Sequence, residues 1–90
     1  MNMSHRQKEL RREARRTGLM AVTYIGHALA AAKDADDFRA LAERANRNPE
    51  TAGDFSEYSA RRDRIAQAYA DNAYNNAVRA VRAAIASEGF

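Results

Sequence analysis

The apolar positions along the chain recur at spacings of three, four and seven, which is the period of a helix packed on one side. In the first third, Leu10, Ala14, Ala21, Ile25, Ala28, Leu29 and Ala32 fall on one stripe. Ser4 and Gln7 stand at capping-box spacing just before it, so a first helix is expected from Ser4 to about Ala32. A second helix is expected from Asp34–Asp37, whose acids suit the positive end of a helix dipole. Its inner stripe is Phe38, Leu41, Ala42 and Ala45, and Pro49 disfavours helix at Asn48. The segment PETAGD then reads as a loop. Asp54 and Glu57 repeat the capping-box spacing and predict a third helix running to Ser87, with Gly89 as its terminator.

The third helix carries a shift in pattern. Its early apolar side is Phe55, Tyr58, Ile65, Ala66, Tyr69 and Ala73; its later side is Tyr74, Ala77, Val78, Val81, Ala84 and Ile85. On a wheel the two differ by about a quarter turn. The change occurs across DNAYNN, residues 71–76, which is rich in weak helix formers. Either the helix breaks near Asn72 or its second half packs against something different. The expected fold is therefore all-α: a small three-helix bundle with long first and last helices, or a four-helix one if that break occurs. One domain over residues 1–90 is the expected organisation.

Composition supports the helical reading. Alanine dominates, glycine numbers four and proline one. With no cysteine, disulfides and thiolate metal sites are excluded. A chain of 90 residues buries only about 60–65% of its unfolded surface, so oligomerisation is the expected aid to stability. The bias to alanine, and to arginine over lysine, suggests a GC-rich genome, bacterial or phage. GLMAVTYIGHALAAA, residues 18–32, is nearly apolar but too short and polar for a membrane span. Glu9 and Glu13 before it, and Tyr24 and His27 within it, argue against a cleaved secretion signal, and a cytoplasmic location is expected.

Charge is unevenly placed. The net +3 divides into +5 over residues 1–33, −4 over 34–60 and +2 over 61–90. RQKELRREARR, residues 6–16, holds six cations and two acids. Lys8, Arg11, Arg12 and Arg15 share one flank, while Glu9 and Glu13 can pair with Arg12 and Arg16 at i,i+3. By composition the segment resembles the arginine-rich helices of some RNA-binding peptides. In an up-down-up bundle it would lie near Arg61, Arg62 and Arg64 and form a basic pole, with Asp34, Asp36 and Asp37 at the other.

Catalytic patterns are absent. His5 and His27 fit no metal-ligand spacing, and there is no glycine-rich phosphate loop or calcium loop. No enzyme activity, cofactor or metal is expected. Leu19, Thr23, Gly26 and Ala30 line the side of the first helix opposite its main stripe, with small-xxx-small spacing at Gly26 and Ala30, and are the expected self-association face. The function expected is non-catalytic binding of a protein partner, of the kind shown by accessory proteins or phage-type inhibitors that act by steric occlusion. Lys8, Arg11, Arg12, Arg15, Arg61, Arg62 and Arg64 would contact acids or phosphates on the target. The alternatives are nucleic-acid binding through phosphate contacts and a homo-oligomeric assembly module such as a homodimer.

Overall fold

In the computed structural model, which describes residues 4–89, the chain forms two long helices: α1, His5–Arg44, and α2, Pro49–Ser87. The all-α class stands, but the three- or four-helix bundle does not, because α1 runs on through the junction expected near Asp34 and α2 does not break near Asn72. Nothing between Gly26 and Asn48 is a helix breaker. The acids that suggested a new helix start are neutralised along the continuous helix: Lys33 Nζ lies 3.0 Å from Asp37 Oδ2, and Arg39 Nη1 lies 2.8 Å from Asp36 Oδ1.

Helix ends follow local chemistry. At the start of α1, the Ser4 amide donates to Gln7 Oε1 at 3.0 Å, and the Gln7 amide donates to Ser4 Oγ at 3.2 Å, so the expected capping box forms in both directions. The Asp54 cap does not form. Pro49 takes the first position of α2, where a missing N–H costs nothing, and the PETAGD loop is helical instead. Asn48 is the cap: its Oδ1 accepts from the Thr51 amide at 3.3 Å and its carbonyl from Ala52 at 2.9 Å. α2 ends at Ser87, and Gly89 takes the left-handed conformation, φ 82°, that favours glycine.

Contacts divide the chain into two compact units. The first is Met1–Ile25 with Asp71–Phe90, and the second is Gly26–Ala70. In the first, the beginning of α1 lies antiparallel to the end of α2. Leu10 and Glu13 line a pocket with Arg79, Arg82, Ala83 and Ala86, and a Cβ added at Gly18 would lie 3.9 Å from that of Ala80. In the second, the 45–48 turn closes a helical hairpin. Phe38 stacks with Phe55 at a ring-centroid distance of 6.4 Å and meets Tyr58 at a tilt at 5.5 Å, and His27 meets Tyr69 at 5.1 Å.

Within each unit, the seam between the helices follows a seven-residue repeat. On α1 it runs through Leu10, Ala14, Thr17, Ala21, Tyr24, Ala28, Ala31, Ala35, Phe38 and Ala42, all buried or half-buried. On α2 it runs through Ala52, Phe55, Ser59, Ala66, Tyr69, Ala73, Asn76, Ala80, Ala83 and Ser87, and only Arg62 of this series is exposed. Alternating steps of three and four keep one edge of a helix against its neighbour. Every second position, from Ala14 to Ala42 and from Ala52 to Ser87, is alanine or serine. Small side chains at the contact let the backbones approach closely. The Ser59 hydroxyl uses that closeness to donate to the Ala35 carbonyl at 2.8 Å across the hairpin.

This seam corrects the expected core. Ile25 and Leu29, placed on the inner stripe by size and spacing, are 49% and 67% exposed. The later apolar side of the last helix also faces outward, with Tyr74 at 70%, Val81 at 58% and Ile85 at 50%. The buried residues are Ala21, Ala31, Ala35, Ala73, Ala83, Thr17, Ser59 and Ser87. Among the described residues, no large side chain is fully buried.

Candidate functional site

The first unit presents a mixed apolar and cationic side. Right-handed helices that run antiparallel turn the residue after each seam position toward the same side of the pair. Val22 and Ile25 follow the seam residues Ala21 and Tyr24 on α1. Tyr74, Ala77, Val81 and Ala84 follow Ala73, Asn76, Ala80 and Ala83 on α2. All six are exposed. Lys8, Arg11 and Arg15 follow Gln7, Leu10 and Ala14 in the same way, so a basic flank continues the apolar patch toward the start of α1. Outward of the patch, Tyr74, Ala77, Val78, Val81 and Arg82 line a groove of ≈ 300 Å³.

The cations of this flank have no acid partner. The expected pairs Glu9–Arg12 and Glu13–Arg16 do not form; Glu9 Oε1 instead meets His5 Nε2 at 2.9 Å. None of Lys8, Arg11, Arg12 or Arg15 pairs with an acid among the described residues. The first unit carries Arg6, Lys8, Arg11, Arg12, Arg15, Arg16, Arg79 and Arg82 against Glu9, Glu13, Asp71 and Glu88, a net +4. The second unit carries seven cations and eight acids, a net −1.

Arg61, Arg62 and Arg64 belong to that second unit, and their setting differs. Arg61 Nη2 lies 2.6 Å from Glu57 Oε1, and its guanidinium stands 5.9 Å from the centroid of the Tyr58 ring. Arg62 Nε is 4.0 Å from Asp34 Oδ2, and Asp63 Oδ2 is 3.2 Å from Arg39 Nη2. Of the acids expected at the opposite pole, Asp34 therefore stands against this cluster, while Asp36 and Asp37 pair with Arg39 and Lys33 along α1. The basic pole depended on a third helix parallel to the first; the chain has two helices, and Arg61, Arg62 and Arg64 belong to a different unit from Lys8, Arg11, Arg12 and Arg15. Phe38, Tyr58, Arg61, Arg62 and Ile65 line a groove of ≈ 270 Å³ here.

The expected self-association residues all lie exposed on α1: Leu19 and Thr23 in the first unit, Gly26 and Ala30 in the second. Leu19 is 64% exposed, and nothing lies within 4 Å of a Cβ added at Gly26. The Thr23 hydroxyl donates back to the Leu19 carbonyl at 3.0 Å. The Val22–Ile25 and Tyr74–Ala84 patch was missed as a unit, since Ile25 was assigned inward. Its signal was present, because two apolar stripes a quarter turn apart on one unbroken helix mark two apolar sides, of which the neighbouring helix covers one.

Among the described residues, no group of three or more His, Asp or Glu could hold a metal ion, and no helix is long and apolar enough to cross a membrane. Compared with known proteins, the chain matches no family model, no curated protein and no solved structure.

Proposed function

We propose that this chain is a non-catalytic binding module that engages a protein partner through the outer side of its helices. The observation that supports this reading is the inversion of size between seam and surface. Alanine and serine fill the inter-helix contact, while Leu19, Val22, Ile25, Tyr74, Val81 and Ile85 are each about half exposed or more. Contiguous apolar surface next to charge is the usual mark of a protein-binding site. The partner chemistry that fits is an apolar ridge with acids beside it, the acids meeting Lys8, Arg11, Arg12 and Arg15. Occupying such a ridge would block other partners sterically. The test is capture of partners from the native host with the wild-type chain and with an Arg11→Glu/Arg15→Glu variant. A partner retained by the first and lost with the second supports the reading. Equal capture by both counts against the basic flank.

Nucleic-acid binding is the second reading, favoured by one observation: among the described residues, no acid pairs with Lys8, Arg11, Arg12 or Arg15. Contacts limited to phosphates would give affinity for generic duplex or RNA that falls steeply with salt. A mobility-shift series from low to physiological salt separates the two, and no shift at low salt removes this alternative.

A further inference from the structure

We infer that the apolar patch of the first unit, Val22 and Ile25 with Tyr74, Ala77, Val81 and Ala84, is covered by a second copy of this chain. The inference rests on the reading that the exposed helix faces are binding surfaces, and it names the occupant of one of them. Area is the first argument. The chain exposes 6932 Å², whereas a folded monomer of 10.0 kDa exposes about 5,200 Å². The excess, about 1,700 Å², is that of the whole chain with both units counted, and it exceeds the roughly 800 Å² that each partner gives to a standard interface.

Spacing is the second argument. Tyr74, Ala77, Val81 and Ala84 advance in steps of three, four and three, so α2 carries a second seam beside the one it shares with α1. A stripe with that period fits knobs from another helix. The groove of ≈ 300 Å³ bounded by Tyr74, Val78 and Val81 offers room for such a knob.

Self-complementarity is the third. A two-fold interface places the same patch on both sides, so a patch bearing charge would repel itself. These six positions carry none, and Arg82, the cation among the residues lining the groove, stands two residues past the seam position Ala80 and so toward its outer edge. A two-fold axis through the patch and perpendicular to the helices carries Lys8, Arg11 and Arg15 of the two copies toward opposite ends, leaving the cationic flanks open to a target. The need is constant as well: with no large side chain fully buried among the described residues, each chain lacks core whenever it is folded. Another copy is the partner present at every synthesis.

Sedimentation of the full chain from about 1 to 100 µM tests this, beside Val81→Glu and, as a control on the flank, Arg11→Gln. The wild-type and Arg11→Gln chains are expected at twice the 10.0 kDa chain mass at tens of micromolar. Val81→Glu is expected to weaken association about 100-fold or more by burying an unpaired charge. Should Val81→Glu fail to fold, disulfide cross-linking decides, since the chain has no native cysteine. Ala77→Cys, in the patch, should cross-link readily and Asn75→Cys, off it, should not. A wild-type chain that stays at 10.0 kDa up to 100 µM overturns the proposal. If that monomer still binds a captured protein or vesicles containing phosphatidylglycerol, only the second copy is refuted. If it binds neither, the binding reading fails with it.

Discussion

Ala35 is fully buried, and the Ser59 hydroxyl reaches its carbonyl, so this position shows how little room the seam has. Ala35→Leu adds three carbons where the backbones are close. It should destabilise by about 1–3 kcal/mol through overpacking. That lowers the thermal midpoint by roughly 4–8 °C per kcal/mol in a chain of this size, read by circular dichroism. An unchanged midpoint would mean that the helices can part without cost. Lys33 tests a surface contact instead. Its hydrogen bond and Coulomb attraction to Asp37 raise its amine above the usual lysine value of 10.5. A lysine raised on folding contributes stability that is fully present below its unfolded value and is lost as pH climbs through the raised one. On the basic side, the contribution of this pair should therefore disappear as pH climbs above 10.5. Asp37→Asn should return the amine toward 10.5 in an NMR titration.

Both helices exceed what capping signals alone suggest, and their true starts can be tested. If α2 begins at Pro49, Asn48→Ala removes its cap and should cost about 0.5–2 kcal/mol. Asp54→Ala, now inside the helix, should stay within about 0.5 kcal/mol of wild type. Reversed sensitivities in urea unfolding would restore a loop at 49–54. The glycines of α1 offer a second check. A Cβ at Gly18 would make an ordinary 3.9 Å contact with that of Ala80, and one at Gly26 would meet nothing within 4 Å. Gly18→Ala and Gly26→Ala should each stabilise the helix by about 0.5–1 kcal/mol. Destabilisation at Gly26 would reveal a second backbone packed there, which would move self-association to the Leu19, Thr23, Gly26 and Ala30 face.

For the molecule as a whole, the small-residue seam sets the thermodynamics. Removing a buried methylene-sized group from water contributes about 0.8 kcal/mol, against about 1.5–3 kcal/mol for a fully buried Leu or Phe. A seam of alanine and serine therefore stabilises two 40-residue-scale helices weakly. A folded state that depends on association becomes more stable with concentration. The unfolding midpoint should rise as the chain is concentrated from 1 to 100 µM, and a midpoint independent of concentration would show that each chain is stable alone.

Some of this was legible in the residues themselves. Helical class follows from alanine content and the absence of breakers, the Ser4–Gln7 box from its spacing, and the helix end from Gly89, because each depends on groups within a few residues of one another. The flank shared by Lys8, Arg11, Arg12 and Arg15 was equally readable, since a helix wheel needs no partner. The number of helices was not. Acids at Asp34–Asp37 look the same at a helix start and along a helix, and the i,i+3 and i,i+4 pairs to Arg39 and Lys33 decide between them. Nor was the core, because spacing identifies stripes but not which stripe faces inward. Size pointed to Ile25 and Leu29 beside Ala21; close approach of antiparallel backbones kept Ala21 inside and added Ala31, Ala35 and Ala83 in place of the two larger residues. That choice, made only in the tertiary structure, turned Ile25 and Val81 outward, on the side of the first unit that also carries Lys8, Arg11 and Arg15.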